Sequence, residues 1–186
     1  MKARQQIAVT TFSQNTVEWF TPEWLLDEAR RVLGGFDLDP ASCVAAQERV
    51  RAKVFYTAED DGLRHYWGGR VWLNPPYGSS GGRSSQGIWA QRLVEEYETG
   101  LVQEALLLVR SALGYEWFEQ LFEHWPVCFL RKLLTFTRAD GLPAGRSKQG
   151  AALFYFGENC LTFYRVFSDH GRIIMPVGRQ CATLIA

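Results

Sequence analysis

The chain has 186 residues, 47% hydrophobic and 22% charged, with 20 acidic and 20 basic side chains; that length fits one domain able to bury about 70% of its unfolded surface without disulfides or metal. Balanced charge excludes a global basic field, so any phosphate contacts must come from a local patch. Four cysteines without a Cys-x-x-Cys pair and only three histidines argue against clustered zinc and for free thiols in a reducing compartment, and no stretch approaches the roughly 20 apolar residues of a membrane span.

Residues 1–15 read as a flexible polar tail with no signal-peptide stretch, and one domain is expected over 16–186. A helix is expected over 22–33: Thr21 can cap it, Pro22 suits its first position, Glu23 suits its positive end, and Gly34-Gly35 stops it. A short strand over 36–38 then runs into Asp39-Pro40-Ala41-Ser42. A helix over 44–50 and a strand over 53–56 follow, then a turn at Asp60-Asp61-Gly62. The segment RVWL, 70–73, reads as a strand that stops at Asn74-Pro75-Pro76-Tyr77. Residues 78–87, GSSGGRSSQG, have the composition of a flexible loop and, directly after a polar motif, could serve as a lid. A helix over 88–99 precedes the continuous apolar run 105–109, a strand buried on both faces. Further helices are expected over 117–122 and 160–167, and further strands over 127–130, 151–156 and 173–175. Strands alternating with helices predict an α/β domain with a largely parallel sheet. Ligands in such folds sit beyond the carboxyl ends of the strands. The clusters 39–42, 60–61 and 74–77 should therefore converge on one crevice.

The sharpest local signal is Asn74-Pro75-Pro76-Tyr77. Two successive prolines cannot donate to a sheet ladder, so the strand ends there and the backbone stiffens. The Asn74 side-chain oxygen and the Pro75 carbonyl make a pair of acceptors suited to the two N–H groups of an exocyclic amine such as that of adenine. Acceptors held there would favour the positive charge that develops on nitrogen during alkylation, and Tyr77 could stack on the base. The alternative is a Pro-Pro turn with Asn74 and Tyr77 in structural roles.

The order Phe20-Thr21-Pro22, Leu38-Asp39-Pro40-Ala41-Ser42, Asn74-Pro75-Pro76-Tyr77 resembles that of amino-methylating DNA methyltransferases. More specifically, it resembles the compact phage and prophage DNA adenine methyltransferases of the Dam-like family. Their Trp-x-Thr-Pro start, Leu-Asp-Pro-Ala-Ser turn, Asp-Gly-Leu segment and Val-Trp-Leu-Asn-Pro-Pro-Tyr strand end correspond to 19–22, 38–42, 61–63 and 71–77 here. The resemblance spans about 19–171. It implies a single Rossmann-like class I methyltransferase domain with a mostly parallel sheet and helices on both faces. It further implies S-adenosylmethionine as cofactor, a flipped adenine in double-stranded DNA as substrate, and a bacterial or phage-infected cytoplasm as location. By the same resemblance Thr21 and Pro22 hold the methionine end of the cofactor, and Trp19 and Phe20 also bind the cofactor. Asp39, with Pro40 and Ala41, forms an acidic turn beside its amino acid, Asp60 or Asp61 lies near its adenosine half, and Asn74, Pro75, Pro76 and Tyr77 are catalytic. Taken singly, Thr21 could be only a helix cap, Asp39 an Asx-turn residue, and Asp60 and Asp61 a solvated turn. The chain departs from many methyltransferases in lacking a Gly-x-Gly turn after the first strand.

Phosphate contacts are expected from Arg131, Lys132, Arg138, Arg146 and Lys148, a basic stretch that includes Phe136, and from Arg83 in the Gly/Ser segment; a solubilising hairpin would account for the basic stretch equally well. The tetrad also occurs in enzymes acting on RNA or on protein glutamine, so those amine substrates stand as alternatives, as does a cofactor-free nucleic-acid-binding module.

Overall fold

The computed structural model describes residues 20–137 and 142–176. The expected tail over 1–15, Trp19 and Arg138 lie outside them. In chain order the elements are α1 (Glu23–Leu33), β1 (Leu38–Asp39), α2 (Val44–Val50), β2 (Val54–Phe55), a 3-10 turn (Gly62–Arg64), β3 (Gly69–Leu73), β4 (Ser79–Ser80), β5 (Arg83–Ser84), α3 (Ser85–Glu98), β6 (Val102–Arg110), α4 (Glu116–His124), β7 (Val127–Leu130), β8 (Thr135–Thr137), β9 (Pro143–Arg146), β10 (Ala151–Phe156), α5 (Cys160–Phe167) and β11 (Gly171–Ile174).

One seven-stranded sheet organises the domain, in the order β11-β7-β10-β6-β3-β1-β2. β2, β1, β3 and β6 pair in parallel. β10 is antiparallel to both β6 and β7, so β7 shares the direction of β6, and five of the seven strands run one way. β11 closes the edge antiparallel to β7. The expected α/β architecture is present, with its parallel half between β2 and β6 and a mixed half beyond. Alternation along β6 separates the two layers. Leu106 and Leu108 join Leu25, Leu26 and Phe163 from α1 and α5 in one core. Ala105, Leu107 and Val109 join Trp89, Leu93, Phe118 and Leu121 from α3 and α4 in the other.

β1 pairs with β2 on one side and β3 on the other. After β2 the chain returns across β1, so the strand order reverses between β1 and β3, and side chains at their carboxyl ends face a crevice. An ion-pair cluster fixes the opposite end of this pair. Asp37 accepts from the Arg70 guanidinium at 2.9 Å and lies 2.8 Å from the Lys53 ammonium. The Arg70 guanidinium is the main reason that the Asp37 carboxyl stays well below the usual carboxylate range.

Three expectations are corrected. Thr21 does not cap α1: Pro22 occupies the N-cap position without a side-chain cap bond, and the Thr21 hydroxyl is engaged elsewhere. The segment 78–87 is not a structureless loop. β4 and β5 form a hairpin in which Gly81 and Gly82, at φ 56° and 78°, supply the two left-handed residues of a tight turn, and Ser84 then caps α3 by accepting from the Gly87 N–H. Turn chemistry overrides the flexibility that Gly and Ser would otherwise confer. Finally, Cys160 is disulfide-bonded, against the expectation of four thiols, whereas Cys43 and Cys128 are in no disulfide.

Candidate active site

The carboxyl ends of β1 and β3 open into a cleft of about 640 Å³ lined by Phe20, Thr21, Asp39, Ala41, Asn74 and Tyr77 among others. This volume is within the usual range for small-molecule sites. Two of the three expected clusters converge there, and the third does not.

Asp39 ends β1 and is 3% exposed. Its Oδ1 accepts from the Ala41 N–H at 3.4 Å, and its Oδ2 from the Gln47 side-chain amide at 2.9 Å. The same Gln47 nitrogen donates to the Ser42 hydroxyl at 2.7 Å, while Gln47 Oε1 accepts from the Ala52 N–H at 2.9 Å. That last bond fixes which end of the amide faces Asp39. Burial pushes the Asp39 carboxyl up to about 6, while hydrogen bonds from Ser42, Ala41 and Gln47 favour the charged form. The Asx-turn reading is thus correct as local geometry, and the same carboxylate also lines the cleft. Pro40 is buried behind it.

Asn74 leaves β3 with its amide held in one orientation. Its Nδ2 donates to the Thr21 hydroxyl at 3.2 Å, which leaves its Oδ1 as a buried acceptor with no donor among the described residues. An unsatisfied buried acceptor costs about 1–3 kcal/mol, so a donor from outside the chain would recover that cost. Pro75 is buried, Pro76 is exposed, and Tyr77 is 49% exposed with its ring along the cleft.

The far wall comes from distant sequence. Phe20 pairs with Thr137 of the β8–β9 hairpin. The Arg49 guanidinium lies 5.4 Å from the Phe20 ring centroid and donates to the Thr137 hydroxyl at 3.1 Å. Phe136 and Ser147 complete the wall. The basic stretch is in part the hairpin that the simpler reading expected, and it also borders the cleft. The cleft lining therefore includes one carboxylate, Asp39, and one guanidinium, Arg49.

Asp60 and Asp61 do not line this cleft. Asp60 accepts from the Thr57 backbone N–H at 2.8 Å and from its hydroxyl at 2.9 Å, and the backbone bond is the leading reason that its carboxyl is lowered. Asp61 pairs with Arg64 at 3.1 Å. The next residue connects this turn to the site. A Cβ on Gly62 would sit 1.9 Å from the Pro40 carbonyl oxygen, and the Gly62 carbonyl accepts from the Trp67 indole at 2.8 Å. The Asp-Gly-Leu segment thus buttresses the acidic turn through a glycine contact.

The expected phosphate contacts are dispersed. Arg83 is exposed on β5 and donates to Gln91 at 3.1 Å. Arg131 and Lys132 line a separate depression with Trp24, Glu28 and His170. Arg146 ends β9, opposite Thr135, and Lys148 is exposed just beyond the cleft-lining Ser147. Gln47 and Arg49 carry no motif and escaped the sequence reading. The only available signal was two long polar residues interleaved with the inward-facing Ala46 and Val50 on a short helix.

Among the described residues no helix is long and apolar enough to cross a membrane, and no group of three or more His, Cys, Asp or Glu could hold a metal. The model of the family described as DNA N-6-adenine-methyltransferase (Dam) matches residues 9–179. No curated protein matches the chain.

Proposed function

The chain belongs to the DNA N-6-adenine-methyltransferase (Dam) family, and on that footing we propose that it transfers a methyl group from S-adenosylmethionine to the exocyclic amine of an adenine flipped out of double-stranded DNA. Membership itself makes it a DNA adenine methyltransferase by family. The methyl donor, the flipped base and the residue roles are our reading, as is a Rossmann-like class I topology for the sheet.

The residues present fit the donor. An α-amino-acid end carries one ammonium and one carboxylate, and the cleft offers Asp39 for the first and Arg49 for the second. Thr21 and Ser42 supply further polar groups, and Phe20, Leu26, Ala41, Trp72 and Phe136 an apolar wall. When bound, the donor supplies an electrophilic methyl carbon on a sulfonium.

The single observation that carries the reading is the buried, unpartnered Oδ1 of Asn74. That oxygen accepts one N–H of the target amine, and the Thr21 hydroxyl holds the amide so that it cannot present its nitrogen instead. The acceptor strengthens as positive charge grows on the amine, which is stabilisation specific to the transition state. Pro75 and Pro76 stiffen the segment, and the half-exposed Tyr77 ring offers a stacking face worth about 1–3 kcal/mol per base. Positioning supplies the remaining advantage, since alkylation needs no covalent intermediate on the protein. Because the target atom lies inside a duplex, the base has to leave the stack before it can enter the cleft. Arg146 and Lys148 flank the cleft-lining Ser147 and are the expected phosphate contacts adjoining the cleft in sequence, with Arg83 on the β4–β5 hairpin a further one, and Arg131 and Lys132 would serve a second, separate contact.

The test is incubation of the protein with labelled S-adenosylmethionine and, separately, DNA, RNA and protein, followed by digestion and identification of the product. Label on the exocyclic nitrogen of adenine in DNA is expected. Label on cytosine, RNA or glutamine would replace the substrate assignment, and absence of saturable donor binding would leave a non-catalytic module.

A further inference from the structure

We propose that Arg110, stacked on Tyr115 beside the tetrad, is the receptor for a backbone phosphate adjoining the target adenosine. This deepens the DNA methyltransferase reading and rests on it.

The sheet register brings Arg110 to the tetrad. β3 and β6 are parallel neighbours with Leu73 opposite Leu107. β3 stops there, because Pro75 and Pro76 cannot continue the ladder, whereas β6 runs three residues further and ends at Arg110, where Ala151 of β10 is its partner. The extra length carries a cation to the level of the tetrad. Burial pushes the Tyr77 phenol up, and the Arg110 charge, close enough to be felt there, acts in the opposite direction.

Arg110 is also held without being neutralised. Its guanidinium carbon lies 4.9 Å from the centroid of the Tyr115 ring, a geometry that fixes a cation while leaving its N–H fork available. Among the described residues no carboxylate lies within ion-pairing distance of it. The loop that presents Tyr115 is itself braced. Gly114 takes φ 85° and donates to Glu119 at 2.6 Å, and the Tyr115 N–H donates to the Ala112 carbonyl at 3.1 Å. Tyr115 remains 51% exposed and Leu113 62% exposed. A half-buried, unpaired guanidinium on a rigid, exposed aromatic shoulder is suited to a bidentate anion, and the anion that accompanies an extruded nucleotide is its phosphate.

The experiment measures equilibrium binding and methylation of an adenine-containing duplex over a salt series with the wild-type protein, R110Q and R110K, alongside S-adenosylmethionine affinity. R110Q should weaken duplex binding about tenfold and lower the slope of log affinity against log salt by about 0.9, the loss of one phosphate contact. R110K should keep the slope, and donor affinity should not change in either variant. Wild-type slope and affinity in R110Q overturn the proposal. Should R110Q fail to bind the donor, Y115L carries the test, because it releases the guanidinium without altering the strand: weaker duplex binding at unchanged donor affinity supports the site, and unchanged duplex binding overturns it. A wild-type protein that methylates no duplex defeats the underlying reading and this site together, whereas methylation with an unaltered R110Q defeats only the site.

Discussion

The side-chain nitrogen of Asn74 donates to the hydroxyl of Thr21 at 3.2 Å across 53 residues of sequence, and this bond decides which end of the amide the cleft sees. Replacing Thr21 by Val removes the acceptor and frees the amide to rotate. We expect kcat to fall about tenfold while donor affinity changes much less, and restoration by Ser, which keeps the hydroxyl. Equal activity in the Val and Ser variants would remove Thr21 from the orienting role.

Asn74→Ala deletes the acceptor itself. Loss of one preorganised polar contact to developing charge costs on the order of 10²–10³ in kcat. Donor affinity, read by calorimetry, should be largely retained. Wild-type turnover in this variant would refute the role assigned to the tetrad.

Asp39 gives the site a pH signature. Its carboxyl is raised from 3.8 to about 6 in the folded protein, so between about pH 4 and pH 6 the native state holds a proton that the unfolded chain has released. Stability therefore falls as pH rises through that window, by about 3 kcal/mol in all, and levels off above it. Asp39→Asn should abolish this slope and raise the melting temperature at pH 8, while abolishing donor binding. In the wild type, donor affinity should drop about tenfold per pH unit below 6, because an ammonium selects the ionised carboxylate. A pH-independent affinity between 5 and 7 would contradict that partnership.

Gly62→Ala tests the buttress behind the acidic turn. The added methyl would meet the Pro40 carbonyl oxygen at 1.9 Å, so Pro40 must move. Overpacking of this kind costs about 1–3 kcal/mol, and we expect weaker donor binding with it. Asp60→Ala, by contrast, removes the bonds to Thr57 and an electrostatic interaction with His65 and should cost stability slightly with donor affinity unchanged. If Asp60→Ala weakens the donor as strongly as Gly62→Ala does, Asp60 contacts the donor after all.

The sequence by itself determined the alternation of strands and helices, the arrest of β3 at two prolines, and the acidic turn after β1. These are local matters: apolar periodicity, missing backbone donors and turn chemistry act over a few residues. Helix α2, strands β7 and β10 and helix α5 have the bounds expected of them for that reason. Tertiary structure alone decided that Thr21 turns from capping a helix to holding Asn74, that Gln47 fixes Asp39, and that Arg49, Phe136 and Ser147 wall the cleft. It likewise left Asp60 and Asp61 outside the crevice where Asp39 and Asn74 meet, a meeting that the strand-end rule predicts. Each of these depends on which strands become neighbours and in what register. Burial then acts on the outcome: a carboxylate pushed up to about 6 and an amide oxygen without a donor are properties of enclosure, which no run of adjacent residues encodes.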